Sequence, residues 1–130
     1  MKKAIAILLL VMTVCLLLVS CDNSLRYGSY TRKNDTGRYG DFFTITLRED
    51  GSCSYSPTSI NNYIADCTYT VEGDRIIIVD TQIPALHQTA TRTYVFEHKN
   101  GRLIFLADES DEFLYITLPD RATFTITDNK

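Results

Sequence analysis

The sequence predicts an all-β fold, a single domain built as an antiparallel meander of about eight or nine short strands that closes into a small barrel. Three observations lead there. From Ser24 onward the apolar residues alternate or run in short β-branched and aromatic stretches, and no 3.6-residue period is sustained over a helical length. Glycine-containing turns recur between these stretches at hairpin spacing. A chain of hairpins leaves two bare sheet edges unless it curls until they meet, so a barrel is the economical end state.

Taken in order, Leu25 to Thr31 reads as a first strand, followed by a polar, glycine-containing loop from Arg32 to Gly40. Phe43, Ile45 and Leu47 alternate with Thr44, Thr46 and Arg48, which makes the odd positions the core face of a second strand. The turns Glu49-Asp50-Gly51, Glu72-Gly73-Asp74 and Lys99-Asn100-Gly101 punctuate the strands that follow: Ser52 to Ser56, Cys67 to Val71, Arg75 to Asp80, Thr93 to His98 and Arg102 to Leu106. Two more are expected at Glu112 to Leu118 and Thr123 to Thr127, around a turn at Pro119-Asp120-Arg121-Ala122. Ile76-Ile77-Ile78-Val79 is apolar on both faces, so something should also pack outside the sheet there.

The N-terminus is of another kind. Lys2-Lys3 precede an unbroken apolar run from Ala4 to Val19 that stops at Ser20-Cys21, the charged, apolar and small-residue order of a secretory signal. The run is shorter than the roughly 20 residues that cross a bilayer. Asp22-Asn23-Ser24 follow it, and its positive charge lies only on the N-terminal side. Leu18-Val19-Ser20-Cys21 resembles the lipobox of bacterial lipoprotein signal peptides. That resemblance implies removal of residues 1–20, acylation of Cys21, a tether at 21–24 and a barrel domain at 25–130. It implies a place in the bacterial cell envelope, lipid-anchored at the inner or the outer membrane with the domain outside the cytoplasm.

Without residues 1–20 the chain has 110 residues, enough for one core and little more. Lys2 and Lys3 leave with the signal, so 11 basic residues face 16 acidic ones. Apart from Arg32-Lys33 the basic residues are scattered singly, which argues against nucleic acid as a partner. Cys15 lies in the discarded run and Cys21 is assigned to lipid, leaving Cys53 and Cys67. In an oxidising compartment these form one disulfide, the alternative being two buried free thiols. If Ser52 to Ser56 and Asp66 to Val71 are antiparallel neighbours, the two cysteines face each other beside Tyr55 and Tyr69.

Gly28-Ser29-Tyr30, the hairpin Leu47 to Ser52, the segment Tyr69-Thr70-Val71-Glu72-Gly73-Asp74-Arg75-Ile76, and the later Tyr94-Val95-Phe96 and Asn100-Gly101-Arg102-Leu103 together resemble the small lipocalin-like domains of many bacterial lipoproteins. In that group such segments are consecutive staves of an antiparallel barrel. The sequence departs from true lipocalins in having Tyr30 where their Gly-x-Trp has tryptophan, and it contains no tryptophan. The resemblance implies a binding or interaction module for a small apolar ligand or another envelope protein. The alternative is an inhibitor or structural envelope protein with a filled barrel and no ligand. A cavity lined by Tyr94, Phe96 and Phe105 would favour the ligand, and a solid barrel the protein partner.

Dedicated chemistry is hard to find. Asp108-Glu109-Ser110-Asp111-Glu112 is dense in carboxylates but lacks the ligand spacing and central glycine of a calcium loop, and reads as a solvated loop. His87 and His98 have no partner at metal-ligand spacing and read as surface residues. No nucleophile motif, phosphate loop or cofactor motif is present, so no catalytic, metal or cofactor-binding residue is assigned and the chain is not read as an enzyme. Tyr27, Tyr30, Tyr39 and Tyr63, in or beside the first strand and the long loops, are the first residues to consider for a recognition surface.

Overall fold

A computed structural model describes residues 2–8, 24–34, 42–58, 64–81, 91–113 and 116–127. Eight antiparallel strands form a closed barrel in sequence order. They are β1 (Gly28–Lys33), β2 (Phe42–Leu47), β3 (Ser52–Ser56), β4 (Ala65–Glu72), β5 (Arg75–Asp80), β6 (Arg92–Lys99), β7 (Arg102–Phe105) and β8 (Thr123–Thr127). Each pairs with the next, and β1 closes the ring on β8 through Tyr30 opposite Ile126. The expected small lipocalin-like barrel of about eight strands is therefore what the chain forms.

Strand alternation decides what goes inside. Phe43, Ile45 and Leu47 are buried as the odd-face reading of β2 requires, and Cys53, Tyr55, Cys67 and Tyr69 also turn inward. From the second half of the barrel Ile76, Ile78, Tyr94, Phe96, Leu103, Phe105 and Phe124 complete the core. At one end the tight turns β2–β3, β4–β5 and β6–β7 gather beside the start of β1. The last is a two-residue turn in which Asn100 and Gly101 both have positive φ, 52° and 70°, the combination that matches the right-handed twist of its flanking strands. The opposite end carries the four longer connections, including 106–122 between β7 and β8. The tight-turn end is covered by the chain itself, because Leu25 packs against the core and the Tyr30 hydroxyl donates to the Arg26 carbonyl at 2.5 Å.

Several expectations are corrected. The strand expected at Glu112 to Leu118 is not formed over its described residues. Closure is the reason: β7 pairs with β6 on one side and with β8 on the other, so no place is left in the wall for a ninth stave. The first strand starts at Gly28 and runs on to Lys33, because Arg32 and Lys33 pair with Phe43 and Phe42. His98 is buried rather than superficial, since it shares the inward face of β6 with Tyr94 and Phe96, and its Nε2 meets the Gly73 carbonyl at 2.9 Å. Tyr30 belongs to the core and not to a recognition surface.

The doubly apolar β5 has a partial answer. Ile76 and Ile78 are internal, while Ile77 points outward opposite Val95. Val95 is buried although alternation turns it outward, and the 3-10 turn Ala107–Glu109 lies along it, with Ser110 Oγ accepting the Val95 N–H at 2.8 Å. The expected signal segment is described only at 2–8, which is helical with Ile5, Ile7 and Leu8 exposed. No helix among the described residues is long and apolar enough to cross a membrane. Cys21, Tyr39, Tyr63 and His87 lie outside the described residues.

Candidate functional site

The chain leaves the barrel wall after Phe105 and crosses the long-loop end. Its first stretch stays against β6: Leu106 N–H donates to the Val95 carbonyl at 3.0 Å, and Asp111 N–H donates to the Thr93 carbonyl at 2.8 Å. The Asp111 carboxylate accepts the Thr93 N–H at 2.8 Å, so side chains substitute for a neighbouring strand. The Arg92 guanidinium then donates to the Glu112 carbonyl. These contacts place the next residue, Phe113, over the barrel mouth and turn it inward, where it is buried.

Phe113 fills that end of the interior. Its ring stacks on Tyr94 with centroids 3.9 Å apart and planes 6° from parallel. Phe43 and Tyr55 meet it edge to face at 5.0 and 5.4 Å, and Phe105 approaches at 5.8 Å. Offset and edge-to-face ring pairs of this kind add about 0.5–1.5 kcal/mol each beyond the apolar area they bury. Between Phe113, Phe105, Ile116 and Leu118 a cavity of about 120 Å³ remains, near the volume of a few water molecules.

Beside the rings sits a polar pair. Asp80, at the end of β5, is fully buried and accepts a 2.5 Å hydrogen bond from the Tyr55 hydroxyl. Burial, and then the bond to Asp80, push the Tyr55 hydroxyl far above the ordinary tyrosine range. The Tyr94 hydroxyl lies close enough to Tyr55 to perturb its ionisation, yet their contact falls short of hydrogen-bond geometry. Tyr94 Oη is thus a buried hydroxyl with no hydrogen-bond partner among the described residues. The Tyr55 hydroxyl therefore keeps its proton and donates it in the hydrogen bond to Asp80, beside the aromatic faces.

Tyr30, Tyr55, Tyr69 and Tyr94 all have hydroxyls raised above the usual value, chiefly by burial. A tyrosine that ionises more readily unfolded than folded stabilises the native state fully below its unfolded value of 10.0, and that contribution is lost as pH rises beyond it. Stability from these groups is therefore expected to hold through neutral pH and to fall above about pH 10, with a shallower fall in Tyr55→Phe. Urea midpoints measured across the alkaline range check this, and a midpoint that does not decline there contradicts it.

The sequence-derived site residues divide clearly. Cys53 and Cys67 stand directly opposite on β3 and β4 and are joined by a disulfide, with Cα atoms 5.0 Å apart. Tyr94, Phe96 and Phe105 do point inward, but other rings occupy the space they enclose. Tyr27 is exposed at the tight-turn end. The acidic run is engaged at the surface, with Glu109 paired to Arg75 at 3.1 Å and Asp111 bonded to Thr93. Among the described residues no group of three or more His, Cys, Asp and Glu side chains is placed to hold a metal ion.

Sequence reasoning passed over Asp80 and Phe113. Asp80 continues the inward series Ile76, Ile78, so strand parity alone pointed it into the barrel. Phe113 carried no such signal, because its inward turn depends on β6 contacts distant in sequence. Comparison with protein families, with curated proteins and with solved structures finds no match to this chain.

Proposed function

We propose that this chain is a lipoprotein of the bacterial cell envelope, anchored in a membrane through acyl chains on Cys21, whose barrel is an interaction module for another envelope protein. Its role is binding and not catalysis. The observation that carries the choice of partner is the Phe113 plug: the place where a small apolar ligand would lie is taken by the protein's own ring, stacked on Tyr94. A filled barrel acts as a rigid support, and recognition then falls to its outer surface and rims. At the long-loop rim, Phe42 and Ile64 leave 49% and 65% of their surface exposed, apolar groups of the kind a protein partner covers. An inhibitor is one form of the same reading, with the partner an enzyme.

Native mass spectrometry of the protein extracted from its own membranes tests both halves. The expected species is a chain beginning at Cys21, carrying acyl groups and bound to a second polypeptide. A stoichiometric small apolar molecule in place of a polypeptide would overturn the protein-partner reading. An unmodified Cys21, or a chain that retains residues 1–20, would overturn the anchor.

A further inference from the structure

The direction in which the chain leaves the barrel determines which end can reach a membrane. β1 begins at the tight-turn end, and the residues before it are pinned there: Leu25 packs against the core and the Arg26 carbonyl accepts the Tyr30 hydroxyl. The Arg26 guanidinium also lies against the β6–β7 turn, 3.3 Å from where a side chain on Gly101 would begin. Only Asp22, Asn23 and Ser24 separate Leu25 from Cys21. Four peptide steps of at most about 3.6 Å let Leu25 stand no more than about 14 Å from the acylated residue. An eight-residue stave such as β6 is about 26 Å long, or about 20 Å in height once tilted as barrel strands are. The tether is too short to pass around the barrel and bring the opposite rim to the lipid.

The tight-turn end is also chemically suited to that contact. Tyr27 and Val71 are about half exposed there, with 51% and 47% of their surface open. Tyrosine, apolar in its body and polar at its tip, favours the headgroup level of a bilayer. Arg26, Arg48, Lys99 and Arg102 lie on or beside the same turns and can meet lipid phosphates, interspersed with Glu49, Asp50, Glu72 and Asp74, while Arg75 there is paired to Glu109. The mixed charge makes this a surface that rests on headgroups once tethered, without strong attraction of its own.

We infer that the tight-turn end, which carries Tyr27, is a bilayer-facing surface that rests on lipid headgroups, and that the long-loop rim bearing Phe42 and Ile64 is held away from the membrane. The inference depends on the acyl anchor at Cys21 proposed above. It adds an orientation, and it assigns the two ends of the barrel different partners.

The absence of tryptophan from the chain provides the test. Full-length Tyr27→Trp and Phe42→Trp variants, exported and processed in a lipoprotein-making host, are checked by intact mass for acylation at Cys21. Each is then reconstituted into phosphatidylcholine and phosphatidylglycerol vesicles containing a lipid with a nitroxide on its headgroup. Fluorescence of the tryptophan at 27 is expected to be quenched several-fold more strongly than that of the tryptophan at 42. Equal quenching, stronger quenching at 42, or no quenching at either site in acylated, vesicle-bound protein overturns the orientation while leaving the anchor standing. A mature chain without acyl groups overturns the anchor, and the orientation with it.

Discussion

Replacing Phe43 by alanine is expected to lower the unfolding free energy by about 3–5 kcal/mol, the range for removing a buried aromatic ring from a close-packed core. Phe43 is fully buried and meets Phe113 and Phe124 edge to face, at 5.0 and 5.1 Å, with Tyr55 at 6.3 Å. Its loss leaves a hole where three walls of the ring cluster converge, and two of those neighbours, Tyr55 and Phe124, are held by β3 and β8, which cannot move inward independently. Against a typical domain stability of about 5–15 kcal/mol, that is a large fraction of the total. Phe42 is the control one residue away, since it points outward and is half exposed. Phe42→Ala should stay within about 0.5 kcal/mol of the parent. Urea midpoints with unchanged slopes read both effects. Equal losses from the two substitutions would contradict the in-out alternation of β2.

The second large effect is expected from opening the bridge between Cys53 and Cys67. The cysteines are 14 residues apart in sequence, and a closed loop of about 15 residues contributes roughly 3 kcal/mol by restricting the unfolded chain. Reductant should therefore shift the urea midpoint of the parent strongly downward and leave that of a Cys53→Ala, Cys67→Ala variant unmoved. Alkylation of the unreduced protein should label neither residue. A midpoint insensitive to reductant in the parent, or labelling of both thiols without it, would contradict the bridge. Its position matters beyond its magnitude, because it joins β3 to β4 across a loop that the barrel must otherwise close through strand pairing alone.

Much of the barrel wall was legible in the sequence, for reasons confined to a few residues at a time. The alternation of Phe43, Ile45 and Leu47 named a core face because side chains on a strand point to opposite sides with period two. The turns at Gly51, Gly73 and Gly101 were legible because positive φ is costly for other residues, and all three glycines do adopt it. Cys53 and Cys67 could be set opposite each other only on the condition that their strands pair across the loop 57–64, and β3 and β4 do pair with the two residues in register.

What failed did so where distant segments compete. Glu112 to Leu118 looks like a strand because Phe113 and Ile116 sit among β-favouring neighbours, and local pattern cannot register that both edges of β7 are already taken. His98 looked superficial because a histidine at a strand end usually is, whereas the facing Gly73 carbonyl offers its ring nitrogen a partner inside. The candidate site was the least legible part. The plug depends on Arg92, Thr93 and Val95 of β6 bonding to residues 106–112, separations over which sequence has no periodicity to offer.

By itself, then, the sequence determined the strand class, the inward face of β2 and the turn positions, since each follows from backbone sterics and side-chain alternation over a few residues, whereas the facing of Cys53 and Cys67 followed only once their strands were paired. Only the tertiary structure decided that eight staves complete the ring, that Phe113 occupies the mouth over Tyr94, and that residues 24–27 enter β1 at the tight-turn end. Those outcomes depend on closure, which couples β1 to β8 across nearly the whole domain, and no local pattern in the chain encodes where a ring will meet.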